Sequence, residues 1–246
     1  MGDRVFGLFD EIRDYFQQEE KMYGAFSMPE ENRLSKGAGI TQDQVVSAEE
    51  SITDMESLKK VKTLDELREL CEQAEELKTD LEQTNLVFGS GNPEAKIMFI
   101  GEAPGAEEDK QGLPFVGRAG KLLTKIIESI SFTREQVYIA NILKHRPPNN
   151  RDPLPEERKR SLPYLYRQIE LIQPAFIVCL GRVSAQTLLE TQEPMKNLRG
   201  RFHSFHNDSN LLVTYHPAAL LRNPAWKKHT WEDVQMLRKK YDSIYG

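Results

Sequence analysis

Three short stretches gather most of the side chains able to do chemistry in this 246-residue chain. The first is Gly101-Glu102-Ala103-Pro104-Gly105, followed by Glu107-Glu108-Asp109 and by Gly112-Leu113-Pro114-Phe115-Val116-Gly117. The second is Asn141 with Lys144-His145-Arg146-Pro147-Pro148-Asn149-Asn150-Arg151, and the third runs from His216-Pro217 through Leu221-Arg222-Asn223-Pro224. Between them they hold carboxylates, an amide, an imidazole and an aromatic ring. Such groups can bind a planar polar ligand and oppose charge that develops as a bond breaks. Taken singly, each stretch is better explained as a turn or a capped loop. Their joint occurrence is the signal.

Each stretch follows a run that reads as a strand. Strands are expected at 96–101, 137–141 and 211–215, with a further one at 175–180. Helices are expected at about 120–131, 155–172, 183–189 and 231–244; Leu122, Leu123, Ile126, Ile127 and Ile130 form the buried face of the first. Before them, Thr63 and Glu66 make a capping box for a helix at 64–80, and residues 85–93 read as an extended piece closed by a turn. This alternation predicts an α/β fold, a three-layer α/β/α sandwich around a central, mainly parallel four-stranded sheet. Sites in such sheets lie beyond the carboxyl ends of the strands, so the three stretches are expected to converge on one pocket.

Upstream, apolar residues recur at helical spacing in Val5, Leu8, Phe9, Ile12, Tyr15 and Phe16. The expected organisation is an amphipathic helix within 1–23 (residues 3–20), a flexible linker at 24–62 and the α/β domain at 63–246. The helical stripe must be covered, either by its own domain or by a protein partner through Leu8 and Phe9. The two cysteines, Cys71 and Cys179, exclude a disulfide framework and fit a reducing compartment. No run is long and apolar enough to span a membrane, and no secretory signal is visible, so a cytoplasmic location is expected; a monomer is expected as well. Residues 1–80 hold 20 Asp and Glu against 10 Lys and Arg, so of 38 acidic and 33 basic residues in all, 18 and 23 fall after position 80. The carboxyl-terminal part is therefore basic, which permits a phosphate-rich partner.

Over 64–245 the sequence resembles the family-four uracil-DNA glycosylases of the uracil-DNA glycosylase superfamily. The likeness rests on the Gly101–Gly105 motif through Glu108-Asp109 and Pro114-Phe115-Val116-Gly117, on Asn141-Ile142-Leu143-Lys144 with Arg146-Pro147-Pro148, and on His216-Pro217 through Leu221-Arg222-Asn223-Pro224. It implies a monofunctional glycosylase that flips uracil out of DNA and hydrolyses its bond to deoxyribose, leaving an abasic site. By the same resemblance, Phe115 stacks on the uracil and Asn141 pairs with its polar edge. His216 donates to the leaving base, Glu102 places water and stabilises the cationic sugar, and Glu108 crowds the position of a thymine methyl. Ala103 and Gly105 complete the base-binding loop. Leu220, Leu221 and Arg222 are suited to filling the gap left in the DNA. Arg118, Lys121, Lys144, Arg146 and Arg151 are candidates for phosphate contacts.

The sequence departs from that family in two places. Its usual members hold an iron–sulfur cluster on four cysteines, and the matching positions here carry Cys71, Ala74, His145 and a serine taken as Ser161. No cluster and no other cofactor are expected, because such centres take four ligands. Packing by the amino-terminal helix is the expected substitute. Ala103 stands where family members more often have Gly and where the classical uracil-DNA glycosylases place a water-activating aspartate, which leaves Glu102 as the candidate by default. The basic, histidine-containing insertion of the DNA-crosslinking relatives is not visible, so turnover is expected. Two alternatives remain at this stage: a glycosylase for another deaminated base such as hypoxanthine, and a non-catalytic DNA-binding adaptor. A nucleotide-binding transferase is disfavoured, since both common phosphate-loop fingerprints are missing.

Overall fold

The computed structural model describes residues 57–206 and 209–246. Lys62–Gly246 forms one compact unit. The helix expected at 3–20 and nearly all of the expected linker lie outside the described residues.

The strands are β1 (Ser90–Gly91), β2 (Ile97–Gly101), β3 (Tyr138–Asn141), β4 (Phe176–Leu180), β5 (Phe202–Phe205) and β6 (Ser209–Thr214), in the sheet order β1-β3-β2-β4-β6-β5. The four expected runs pair in parallel as β3-β2-β4-β6, and short antiparallel strands close both edges. Every residue of β2, β3 and β4 is buried, as a parallel sheet covered on both faces requires. The register sets Gly101 beside Asn141 and Leu180 beside Thr214. The ladder continues past the strands: Ile142 N–H donates to Gly101 O at 3.0 Å, Leu143 N–H to Glu102 O at 3.0 Å and Gly181 N–H to Thr214 O at 2.9 Å. Everything that follows these strands therefore leaves the sheet at one end.

The helices are α1 (Leu64–Gln73), α2 (Ala106–Gln111), α3 (Arg118–Ser129), α4 (Pro155–Ile172), α5 (Arg182–Leu188), α6 (Met195–Leu198), α7 (Pro217–Arg222) and α8 (Lys227–Tyr245). On one face of the sheet, Ile97, Phe99, Ile139, Phe176, Val178 and Leu212 meet Leu123, Ile127, Val234 and Leu237 of α3 and α8. The spacing is two within strands and three or four within helices, the periods by which each element presents one face. Among the described residues no helix is long and apolar enough to cross a membrane.

Some boundaries differ from expectation for local reasons. The helix expected over 64–80 stops at Gln73, because Ala74 takes extended backbone (φ −79°, ψ 95°) before a 3-10 turn at Glu75–Leu77. Thr63 Oγ1 accepts from Glu66 N–H at 3.2 Å, whereas the Glu66 carboxylate reaches back one residue further, to Lys62 N–H at 2.6 Å. Residues 217–222, read as loop, form α7, with Pro217 in its first turn, where a missing N–H costs nothing.

A buried ion pair fastens α8 to the exit of β6. Asp233, fully buried, accepts from Arg199 Nη2 at 2.8 Å and from Thr214 Oγ1 at 2.8 Å. Burial pushes its pKa up in spite of these partners. Removing the carboxylate strands the largely buried Arg199 guanidinium and orphans Thr214. Asp233→Ala is therefore expected to cost about 3–5 kcal/mol in urea unfolding, and a loss below about 1 kcal/mol would show the pair to be incidental.

Candidate active site at the strand ends

A cleft of about 860 Å³ opens where β2, β3, β4 and β6 end, within the range of about 300–1,000 Å³ usual for small-molecule sites. Glu102, Ala103, Gly105, Glu108, Phe115, Asn141, His216 and Arg222 all line it. The convergence expected from parallel topology is thus present.

Two close approaches build its floor. A Cβ added to Gly101 would lie 2.4 Å from Asn141 Oδ1 and 2.5 Å from the Phe115 ring, so only glycine lets both side chains settle over the end of β2. A Cβ on Gly120, in the first turn of α3, would lie 1.9 Å from the Phe115 carbonyl oxygen. Phe115 itself has φ 53°, the left-handed region that non-glycine residues seldom occupy. Its ring centroid is 5.5 Å from that of His216, tilted by 38°. Asn141 is 1% exposed, and neither its Nδ2 nor its Oδ1 has a hydrogen-bond partner. An unmet amide of this kind costs about 1–3 kcal/mol, and this one faces the cleft.

The walls carry the charge. His216 caps α7, its Nδ1 accepting from Ala218 N–H at 3.2 Å. That bond puts the ring proton on Nε2, leaving it as a donor. Burial, aided by Arg222, pulls the His216 pKa down to about 4, so the ring is neutral near pH 7. Glu102 is half-buried, and burial, reinforced by Asp152 and opposed by Arg182 and Arg158, raises its pKa to about 7. Glu108 Oε1 accepts from Val116 N–H and Gly117 N–H, both at 2.9 Å, at the amino end of α3, where the helix dipole favours a negative charge. Its Oε2 packs on Gly105, where an added Cβ would come within 2.8 Å. Glu108 therefore straps the Phe115 loop to the Gly101–Gly105 loop.

The expected DNA-contacting residues divide. Arg118, Lys121, Leu221 and Arg222 are exposed. Lys144 is not: it is fully buried, and its ammonium donates to Gln168 Oε1 at 2.8 Å, Asn141 O at 3.2 Å and Phe88 O at 3.3 Å. Burial lowers its pKa to about 8. Lys144 cannot reach a phosphate; it steadies the backbone of Asn141. Leu220 is likewise buried, at 1% exposure, which leaves Leu221 and Arg222 as the exposed residues of the expected wedge. Arg146 is partly buried and donates to Asn150 Oδ1 at 2.7 Å, and Arg151 forks onto Glu157 with both bonds at 2.7 Å.

The end of β4 also contributes to the cleft, through residues not among those expected from the sequence. Gly181, at φ 98°, brings the His216 side chain close, for an added Cβ would lie 2.9 Å from the His216 Cβ. Beside it, Arg182 pairs with Asp152 at 2.6 Å. The strand-end rule that picked out the other three stretches applies equally to Leu180-Gly181-Arg182. Tyr215 and Trp226, which also line the cleft, carry no comparable signal.

The residues at the four positions assigned by resemblance to an iron–sulfur cluster do not fit one. Ala74 offers no ligand atom. Burial pushes the Cys71 thiol up to about 12, His145 Nδ1 is engaged 2.9 Å from Thr84 Oγ1, and Ser161 Oγ donates to Ile142 O at 2.7 Å. The region is knitted by polar contacts. Thr79 Oγ1 donates to Arg146 O at 2.6 Å, the Tyr164 hydroxyl donates to Glu76, and Leu154 N–H donates to Glu157 Oε2 at 2.7 Å. These bonds tie the Pro-rich loop to α4 and to the segment after α1. The amino-terminal helix expected to do this lies outside the described residues.

Comparison with known proteins accords with this geometry. Residues 88–235 match the model of the uracil DNA glycosylase superfamily. The type-4 uracil-DNA glycosylase of Archaeoglobus fulgidus is 44% identical over 170 residues, covering 66% of this chain and 80% of that protein. Its counterpart in Sulfurisphaera tokodaii is 47% identical over 165 residues, 64% of this chain and 75% of the relative, and that of Pyrobaculum aerophilum 39% over 180, 70% and 92%. With matches this long falling on the strands and loops that build the cleft, the chain belongs to the uracil-DNA glycosylase superfamily, in its type-4 branch.

Proposed function

We propose that this protein is a monofunctional DNA glycosylase that flips uracil out of DNA and hydrolyses its N-glycosidic bond, leaving an abasic site. The observation that carries the reading is the buried, unpartnered amide of Asn141 beside the Phe115 ring. A flipped base is read by stacking and by hydrogen bonds to its edge, and an amide offers one acceptor and one donor to uracil's N3–H and O4. Glycosidic cleavage leaves positive charge on the sugar and negative charge on the base. The neutral His216 donates from Nε2 to the departing uracil, and ionised Glu102 holds the water and opposes the cationic sugar. Both groups sit in place before the reaction, so little reorganisation is needed as charge develops. Glu108, fixed by its two backbone bonds, crowds the space a thymine methyl would take. Leu221 and Arg222 fill the gap in the DNA, and Arg118 meets phosphate. No iron–sulfur cluster takes part, the fold at those positions being held by the hydrogen bonds described above. With two buried, free cysteines, the enzyme suits the reducing cytoplasm, where it acts as a monomer.

The test is cleavage without added metal of single- and double-stranded oligonucleotides carrying uracil, hypoxanthine or thymine, with abasic sites then cut by alkali. Cutting at uracil alone is expected, with Asn141→Ala and His216→Ala each lowering kcat by about 10²-fold or more. Activity that survives both changes would overturn the assignment, and binding without cutting would favour an adaptor. The pH profile gives a further check. Protonation of Glu102 as pH falls through about 7 removes the needed negative charge, so kcat/KM is expected to climb through a midpoint at about pH 7 and to level about one unit above it. His216, neutral above about pH 4, does not contribute to that limb. In Glu102→Gln the limb should vanish along with most of the rate; a limb that persists would assign it elsewhere. Finally, iron analysis and a visible spectrum of anaerobically purified protein are expected to show no bound iron and no charge-transfer absorption, and a stoichiometric cluster would refute that part of the proposal.

A further inference from the structure

One side of the cleft carries an aromatic stack that none of the steps above uses. Tyr215, the residue before His216, stacks on Trp226 with ring centroids 4.7 Å apart and planes 21° apart. Both residues line the cleft, and Trp226 keeps 38% of its surface exposed. The stack is backed from within. The Arg199 guanidinium lies 5.8 Å from the Tyr215 ring centroid and is itself held by the buried Asp233. Trp226 is placed by a 3-10 turn at Pro224–Trp226, its N–H donating to Asn223 O at 3.1 Å. The charge along the flanking chain is positive up to Glu232, which lies 3.3 Å from His229 and 3.7 Å from Arg199. Residues 216–231 contain Arg222, Lys227 and Lys228 and no acidic residue, and 221–229 are all exposed. A large aromatic surface, rigidly backed and flanked by cations, is the arrangement on which single-stranded nucleic acid stacks its bases.

Building on the glycosylase reading, we infer that Trp226 is a stacking platform for a base next to the flipped uracil in the same strand, positioning the target nucleotide rather than acting on it. Its place fits that role. It follows Leu221 and Arg222 in sequence and shares the cleft with His216. A platform of this kind grips a strand whatever its sequence, since every base has a π-face, and it remains useful where no complementary strand is present.

The experiment is a cycle between protein and substrate, using the full chain. One single-stranded oligonucleotide carries a central uracil between normal nucleotides; a second carries the same uracil between stable abasic residues. For the wild type, removing the flanking bases is expected to raise KM about tenfold. Trp226→Ala should raise KM about tenfold on the first substrate and leave it nearly unchanged on the second, with kcat altered less than twofold on both. Trp226→Phe should restore most of the loss. An equal rise on both substrates would make Trp226 merely structural, and no rise on either would likewise overturn the proposal. Failure of the wild type to cut either substrate would count against the glycosylase reading, and the platform is then decided by binding. In a Trp231→Phe protein, Trp226 is the remaining one of two tryptophans. Its fluorescence should be quenched by a base-bearing oligonucleotide and not by a fully abasic one; equal responses would sink the idea.

Discussion

The ring of Phe115 and the amide of Asn141 press on one Cα, that of Gly101, while the carbonyl of Phe115 presses on Gly120. These approaches decide where a planar ligand can lie, because they set the floor of the cleft to within the size of a methyl group. Holding Phe115 at φ 53° costs on the order of 1–3 kcal/mol, and the surroundings must over-determine that conformation. They do so from three sides. Glu108 accepts from the two N–H groups just after Phe115, Arg134 donates to the Pro114 carbonyl just before it, and α3 begins at once after Gly117.

From that floor the electrostatics follow. The sheet beneath is apolar and buried, so a neutral imidazole and a half-ionised carboxylate are what burial leaves near pH 7. In the proposed reaction they would supply a donor and a negative charge, the two things a separating base and sugar need. The buried amide of Asn141 has no hydrogen-bond partner within the protein, an arrangement that burial penalises and that the base pairing proposed above would relieve.

Much of this was legible in the sequence. Parallel topology follows from alternating strands and helices, and topology alone carries Glu102, Asn141 and His216 to one end of the sheet. What the sequence hid has a common physical cause: burial of polar atoms is decided by partners distant along the chain. Lys144 sits in a basic, Pro-rich run that reads as surface, yet three acceptors drawn from Phe88, Asn141 and Gln168 hold it inside. Leu220 and Leu221 are neighbours in an apolar pair, and only the turn of α7 decides which one faces solvent. Short elements such as α2, α6 and β5 span too few residues to show a period. The Tyr215–Trp226 stack joins two positions 11 apart in sequence with no pattern linking them.

The cap on α7 has a consequence for how this position can change over evolutionary time. One ring serves two masters: Nδ1 starts the helix that presents Leu221 and Arg222, and the same residue lines the cleft. Serine, asparagine or aspartate would start the helix as well but would not extend a neutral donor to the same depth. Lysine or arginine could extend a donor but could not accept from the Ala218 N–H. Position 216 is therefore held by two unrelated requirements at once, and a drift in either the chemistry or the wedge must pass through the same codon.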